Sequence, residues 1–257
     1  MARGGGALKG DILMFRLGIV AAVLVLWELA KFFVPGIFLS PPSQIAMTFV
    51  ESWPQYLMHL RVTLTELLVG FIIAFGWGTV LGLIIGSISK LEKILEPLIM
   101  AFYSVPIIAL APLLILIFGI GYISKVAVAG LYAGFPVLIN TISGVKSIDP
   151  IFVAISRSFN LKRGEYLRKV ALPCVAPYFL ASLRLCLTFS LIAVIVGEFV
   201  ASQAGLGWLI NFSSFTFATP YMYGGILVLA ALGYCFNMLA RQVELKFFKW
   251  YVMSRRT

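Results

Sequence analysis

Charge is what this chain has least of. Only 12% of its 257 residues are Asp, Glu, Lys or Arg, against 61% hydrophobic residues and a mean hydropathy of +1.02. Soluble domains carry about 25% charged and about 45–50% apolar residues, so a polytopic membrane protein is expected. The apolar runs are long and continuous, which excludes a barrel of alternating strands. Histidine is nearly absent too. His59 stands alone, with no partners at zinc or Ser-His spacing, and reads as an interfacial residue. Cys174, Cys186 and Cys235 lie in apolar context without paired spacing; they read as small core residues, not as disulfides or ligands. No G-x-x-x-x-G-K-[ST] occurs, and Gly119 to Lys125, the nearest match, lacks the second glycine. The chain therefore has no P-loop with which to hydrolyse nucleotide. Acids in the apolar segments are limited to Glu28, Glu66 and Glu198, all toward one side, where a proton or sodium relay would place them deeper. A catalytic constellation is missing, so a membrane-embedded enzyme is disfavoured. Energy for any active transport is expected from a partner.

What is present is a series of apolar segments near 20 residues long, the length that crosses a bilayer. Six are expected, at about 13–34, 63–88, 98–118, 125–145, 177–200 and 221–240, giving an all-α fold. The first follows a basic lead but has no small-x-small cleavage site, so it reads as an uncleaved span. Glu28 and Lys31, three residues apart near its end, are expected to pair or snorkel. Residues 35–60 read as a loop with an interfacial helix at Ile45–Trp53. The second span carries Gly70, then Gly78, Gly82 and Gly86, a small-xxx-small ridge for close helix packing. The third is interrupted by Pro106 and Pro112 and is expected to kink or break. Such backbone is tolerated where it is covered by protein or lines a cavity. Tyr103, Ser104, Pro106 and Pro112, together with Glu198, are therefore candidates for a translocation path; a kink serving packing alone is the alternative. Residues 201–220 read as a loop, with a sequon at Asn211-Phe212-Ser213. No internal repeat is found, so an inverted-repeat carrier is not indicated.

The net charge is +10. Basic residues fall in four groups: Arg3, Lys9 and Arg16; Lys90 and Lys93; Lys146, Arg157, Lys162, Arg163, Arg168 and Lys169; and Arg241, Lys246, Lys249, Arg255 and Arg256. With six spans all four groups share one side, and the other side receives only Lys31, Arg61 and Lys125. The positive-inside rule places that basic side, with both termini, in the cytoplasm. Topology thus accounts for the charge, and no nucleic-acid partner is called for.

One long polar segment remains, Asp149 to Pro177, between spans four and five. Phe152, Ile155 and Phe159 recur at helical spacing and give it an apolar face; Arg157, Lys162 and Arg163 flank that face, where solvent or anionic lipid would otherwise account for them. An apolar face in a cytoplasmic loop calls for a partner. The segment resembles the cytoplasmic EAA loop of ABC-importer permeases. Ala154, Ile155 and Ser156 fall on its E-A-A, Asn160 on its glycine, Val170 on its isoleucine, and Leu172-Pro173 on its Leu-Pro. The acid is replaced by Ala154 and the glycine by Asn160, the usual second choice for a left-handed turn. Ser104-Val-Pro106, Ala111-Pro112-Leu113 and Phe118-Gly-Ile-Gly121 are similar to the third span of nitrate-, sulfonate- and taurine-type permeases. Gly197-Glu198, Gly205-Leu206-Gly207 and Leu209-Ile210 are similar to the stretch after their fifth.

The resemblance implies a type I ABC-importer permease fold in a bacterial inner membrane. It also implies an EAA-bearing permease domain at 61–241 with its coupling loop at 149–176, preceded by a tail, first span and periplasmic loop (1–60) and followed by a basic tail (242–257). It implies partners: ATPase subunits that carry the ATP-Mg, a second permease copy, and a periplasmic or lipid-anchored solute-binding protein. The chain itself would bind no cofactor or metal. Implied solutes are nitrate, bicarbonate, sulfonates, taurine, small organic acids and thiamine-precursor pyrimidines. An ATP-independent channel or secondary carrier is the alternative, and it leaves the helix at 152–159 without a role.

Overall fold

A computed structural model describes residues 4–247, and for residues 4–11, Leu13, Arg163, Leu167, Glu244 and Phe247 the backbone alone. Arg3, Lys249, Arg255 and Arg256 thus lie outside the described residues, as do the side chains of Lys9 and Arg163. All regular structure among the described residues is helical.

Helix α1 (Gly4–Leu29) ends in a 3₁₀ turn at Ala30–Phe32. Its Glu28 carboxylate pairs with Lys31 at 2.8 Å and accepts from the backbone N–H and hydroxyl of Ser43. It thereby caps helix α2 (Pro42–Glu51), a role available to an acid beside a helix N-terminus. Helix α3 spans Trp53–Gly86, ten residues further back than the expected start at 63, because nothing from Pro54 onward interrupts it. Its glycines face the next helices. An added Cβ would come within 2.6 Å of Ala129 Cβ at Gly70, 2.6 Å of the Gly134 carbonyl at Gly78, and 2.5 Å of Thr141 Cβ at Gly82. The expected ridge is a true backbone-to-backbone seam.

The third expected span is two helices, α4 (Ser89–Tyr103) and α5 (Ile107–Phe118), bent by 92°. The break falls at Ser104–Pro106. Proline offers no N–H there, and it forces Val105 out of helical conformation. Pro112 stays inside α5. The fourth span is α6 (Tyr122–Tyr132) followed, after one residue, by α7 (Gly134–Lys146); it runs through the middle of the bundle, against α3 on one side and α10 on the other.

Helix α8 (Pro150–Ser158) and the short α9 (Arg163–Tyr166) lead through a wide π turn, Leu167–Ala171, into α10 (Leu172–Val200). The π turn precedes Pro173, whose missing N–H leaves the Lys169 carbonyl without its helical partner. The expected loop at 201–220 is a correction: it contains helix α11 (Leu206–Phe215), with Leu206, Gly207, Leu209, Ile210 and Ser213 buried. Ten residues are half a span, and composition alone does not separate such a helix from a loop. Helix α12 runs over Thr219–Phe247. Its start is tied to the α1–α2 segment by Ser40–Thr219 and Ser52–Tyr221 hydroxyl pairs, both at 2.6 Å.

Among the described residues four helical stretches are long and apolar enough to cross a membrane, five if the bent pair is one span. The bundle has two distinguishable ends. Gly86 of α3 packs on Ile142 and Val145 of α7, and Lys146 of α7 reaches Glu92 of α4 at 2.6 Å. That end carries α8. The other end gathers α2, the start of α3, α11 and the start of α12.

Candidate functional site

At the first end, α8 is built to present a face. Asp149 caps it, its carboxylate accepting from the Ile151 N–H at 2.8 Å, and Pro150 opens it. Asn160 closes it in the left-handed region, φ +50°, and the Leu161 N–H returns to the Ser156 carbonyl at 3.0 Å. That is the geometry a helix C-terminus uses when glycine or asparagine follows it. Val153 and Ser156 turn inward. Val153 packs against the buried cluster of Ile148, Ala171 and Val175, on which Val145, Tyr166 and Tyr178 also pack, while the Ser156 hydroxyl is satisfied by the Val153 carbonyl. The opposite face is apolar and open: Ile151 is 61% exposed, Phe152 47%, Ile155 48% and Phe159 76%. Ile151 belongs to this face and was not among the expected residues. Ala154, Arg157 and Lys162 are exposed, Val170 is half-buried, and Leu172 and Pro173 are exposed at the start of α10.

At the α4–α5 bend, Tyr103, Ser104, Pro106 and Pro112 are all exposed. The Ser104 hydroxyl donates to the Met100 carbonyl at 2.8 Å, the same carbonyl that accepts from the Ser104 N–H at 3.0 Å. Glu198 is not with them. It is 1% exposed, at the other end of the bundle.

There it belongs to a buried polar cluster. Helix α11 starts without a capping side chain of its own, and three side chains from two other helices supply the acceptors. The Gly205 N–H donates to His59 Nδ1 at 3.1 Å, the Leu206 N–H to Thr63 Oγ1 at 2.8 Å, and the Gly207 N–H to Glu198 Oε2 at 2.5 Å. Thr63 in turn donates to Glu198 Oε1 at 2.7 Å. Both oxygens of Glu198 accept, and its carboxyl sits at the positive end of the α11 dipole. Glycines make the approach possible. Gly205 has φ +111°, and a Cβ on it would collide with the Glu198 carboxylate; a Cβ on Gly207 would lie 2.8 Å from Glu198 Oε2 and 3.0 Å from the Ile195 carbonyl.

Beside the cap lies a buried ion pair. Lys125 Nζ is 2.8 Å from Glu66 Oε1, with side chains 6% and 1% exposed. The ammonium also donates to Ser202 Oγ at 2.7 Å, and the Ser202 hydroxyl donates to the Ala204 carbonyl at 2.6 Å. The cluster thus pins α3, α6, α10, the 201–205 turn and α11 together. His59 is not interfacial but buried, stacked on Trp208 with ring centroids 5.2 Å apart. Lys125, expected at the start of the fourth span, is buried. The Asn211 amide is engaged by the Phe199 carbonyl at 3.0 Å. Among the described residues no group of three His, Cys, Asp or Glu side chains could hold a metal ion. Thr63, Lys125 and Ser202 were missed in the sequence. The signal that could have found the first was the spacing of His59, Thr63 and Glu66, which sets all three on one face of α3.

Against this geometry, residues 78–249 match the family model described as "Binding-protein-dependent transport system inner membrane component". Among curated proteins, the chain is 33% identical to the riboflavin transport system permease protein RibX of Chloroflexus aurantiacus, over 84% of this chain and 81% of that one. It is 29% identical to the putative aliphatic sulfonates transport permease protein SsuC of Bacillus subtilis, over 90% and 85%. It is 27% identical to the taurine transport system permease protein TauC of Escherichia coli, over 91% and 89%. Among solved structures, it superimposes on a chain of the inward-facing MetNI methionine ABC transporter with a TM-score of 0.61 at 20% identity, covering 74% of this chain and 93% of that one. That likeness is one of fold.

Proposed function

We propose a specific role for this chain, which belongs to the family of binding-protein-dependent transport system inner membrane components, as a permease of the nitrate, sulfonate and taurine group of ABC importers. It is a multi-pass inner-membrane subunit. In our reading two copies form the central path, with α1, α3, α4–α5, α6–α7, α10 and α12 as six spans. Both termini and α8 lie on the cytoplasmic side, where the Lys and Arg clusters fall, and residues 61–241 form the permease domain between the N-terminal region 1–60 and the basic tail 242–257. A separate ATPase binds and hydrolyses ATP-Mg, and a solute-binding protein delivers substrate at the α11 end. The solute is a small molecule of the class these permeases carry: nitrate, a sulfonate, taurine, a small organic acid or a thiamine-precursor pyrimidine.

One observation carries the reading: α8 holds Ile151, Phe152, Ile155 and Phe159 outward from a packed base. Four large apolar side chains in water are unfavourable by roughly 1.5–3 kcal/mol each relative to burial, and a groove on the ATPase removes that cost. The residues from Phe152 to Pro173 then carry ATPase closure into α10, and the exposed bend at Tyr103, Ser104, Pro106 and Pro112 faces the path. ATP acts by binding one arrangement more tightly than the other.

The test is reconstitution of the permease with its ATPase and binding protein in nanodiscs. Phe159→Asp should abolish uptake and binding-protein-stimulated ATP hydrolysis while leaving the amount and thermal stability of the permease unchanged. Normal uptake by that variant would remove the docking role from α8. Offering each candidate solute with its binding protein in turn identifies the substrate as the one that stimulates hydrolysis.

A further inference from the structure

Glu66 and Glu198 are both 1% exposed and meet inside the cluster that caps α11. Each oxygen of Glu198 has a donor, the Thr63 hydroxyl or the Gly207 N–H, and Glu66 Oε1 takes the Lys125 ammonium. Glu66 Oε2 is different. It is buried, and no donor among the described residues reaches it. What Glu66 faces, within hydrogen-bonding range, is the Glu198 carboxyl, another acceptor.

The charges around the two acids do not balance either. Lys125 supplies one positive charge from α6. His59 supplies none, because its Nδ1 accepts from the Gly205 N–H and a doubly protonated ring has no acceptor. Helix α11 and the 201–205 turn carry no titratable residue, and the α11 N-terminus offers about half a charge. Two carboxylates in contact and shut from water do not both ionise readily, because one charge would stay uncompensated. A single proton removes both faults. It fills the empty place between Glu66 Oε2 and Glu198, and it leaves the pair one negative charge for Lys125. We infer that Glu66 and Glu198 form a proton-binding site that holds one proton between them at neutral pH. The proton belongs to the pair and not to either acid alone. Its loss would set two charges against each other where α11 begins, so the cap on α11 is tight only while the pair is loaded. The inference concerns this cluster alone and is independent of the solute carried.

The full chain in neutral detergent micelles tests it. At about pH 7, where exposed carboxyls are ionised, its infrared spectrum should contain the C=O stretch of a protonated carboxylic acid, shifted in D₂O. Glu66→Gln and Glu198→Gln should each lose that band. Glu66→Gln puts a fixed N–H in the proton's place and an amide oxygen before Lys125, so it should fold at least as well as wild type. Unfolded glutamates titrate near ~4.3, so above that range the native chain binds one proton more than the unfolded chain. Chemical unfolding should then show the folding constant of the wild type, relative to Glu66→Gln, falling about tenfold per pH unit between about pH 5.5 and 7. Absence of the acid band from the wild type would overturn the proposal, and that result needs no variant to fold. A band that survives in Glu66→Gln would overturn it too, as would the same pH dependence in both proteins.

Discussion

Replacing Glu198 by Ala would remove the acceptor for the Gly207 N–H at 2.5 Å and for the Thr63 hydroxyl at 2.7 Å. Each buried donor left unpaired costs about 1–3 kcal/mol, and two are left behind. The expected loss is about 3–5 kcal/mol. Glu198→Gln keeps the shape and one acceptor but turns an NH₂ toward a second donor, so about 1–3 kcal/mol is lost. A membrane chain of this size should lose about 2–4 °C of Tm per kcal/mol. That predicts a fall of about 10 °C for Ala and about half of that for Gln. The assay is thermal unfolding in micelles read by a thiol-reactive dye. Cys186 is fully buried and reports unfolding, while exposed Cys235 gives the baseline. Thr63→Val combined with Glu198→Gln should be less damaging than the sum of the two, because both remove one shared bond. The cap reasoning fails if Glu198→Ala unfolds within about 2 °C of wild type, or if Gln is as damaging as Ala.

Other substitutions probe the same frame. Lys125→Met leaves the Glu66 charge buried without its partner and should cost about 3–5 kcal/mol, while Lys125→Met with Glu66→Leu should recover most of that; both are read by the same unfolding assay. Gly207→Ala presses a Cβ against Glu198 and the Ile195 carbonyl and should cost about 1–3 kcal/mol. Asn160→Ala places an alanine at φ +50° and should cost about 1–2 kcal/mol, with Asn160→Gly harmless or stabilising; hydrogen exchange of the α8 amides would show the difference locally. Ser104→Cys should react with a small polar thiol reagent in at least one nucleotide state, and protection in every state would assign the bend to packing.

The helical class, the glycine seam of α3 and the cap-and-turn frame of α8 are legible in the sequence because each rests on local rules. Apolar length, small residues four apart, an Asp-Pro start and an Asn stop need no knowledge of distant residues. The break at Pro106 is local as well, although two prolines stand in that span and only the fold decides that the second remains helical. The buried cluster is of a different kind. His59 and Gly205 are 146 positions apart, and Lys125 meets Ser202 across 77. Taken singly, a lone histidine and a lysine after a glycine turn look like boundary residues. Their burial follows from the arrival of α11, itself hidden because ten apolar and small residues without a charge read equally well as a loop. The role of Gly205 and Gly207 becomes physical only once a carboxylate is found against them.

The two ends of the bundle are joined by the same helices, and this constrains how a movement at α8 can reach the far side. Helix α10 begins where the α8–α9 segment packs on it, through Ala171, Val175 and Tyr178, and ends at the carboxylate that caps α11. Helix α7 is clamped to α3 along the glycine seam, and α6 is tied to α3 by the Lys125–Glu66 pair. Close-packed elements of this kind do not deform continuously. A displacement of α8 therefore moves α3, α6–α7, α10 and α11 as one body. Helix α5 belongs to that body too, its Ile107 and Ala111 buried in one cluster with Leu67, Val128, Ala129 and Val194, while α4 has few ties to it, joined to α7 through the Glu92–Lys146 pair. Cross-linking α11 to α3 should then leave transport intact, because they travel together. Cross-linking α4 to α7 should block it. A block by the first cross-link would show that α11 moves independently, and the cap would have to be a latch that opens in each cycle.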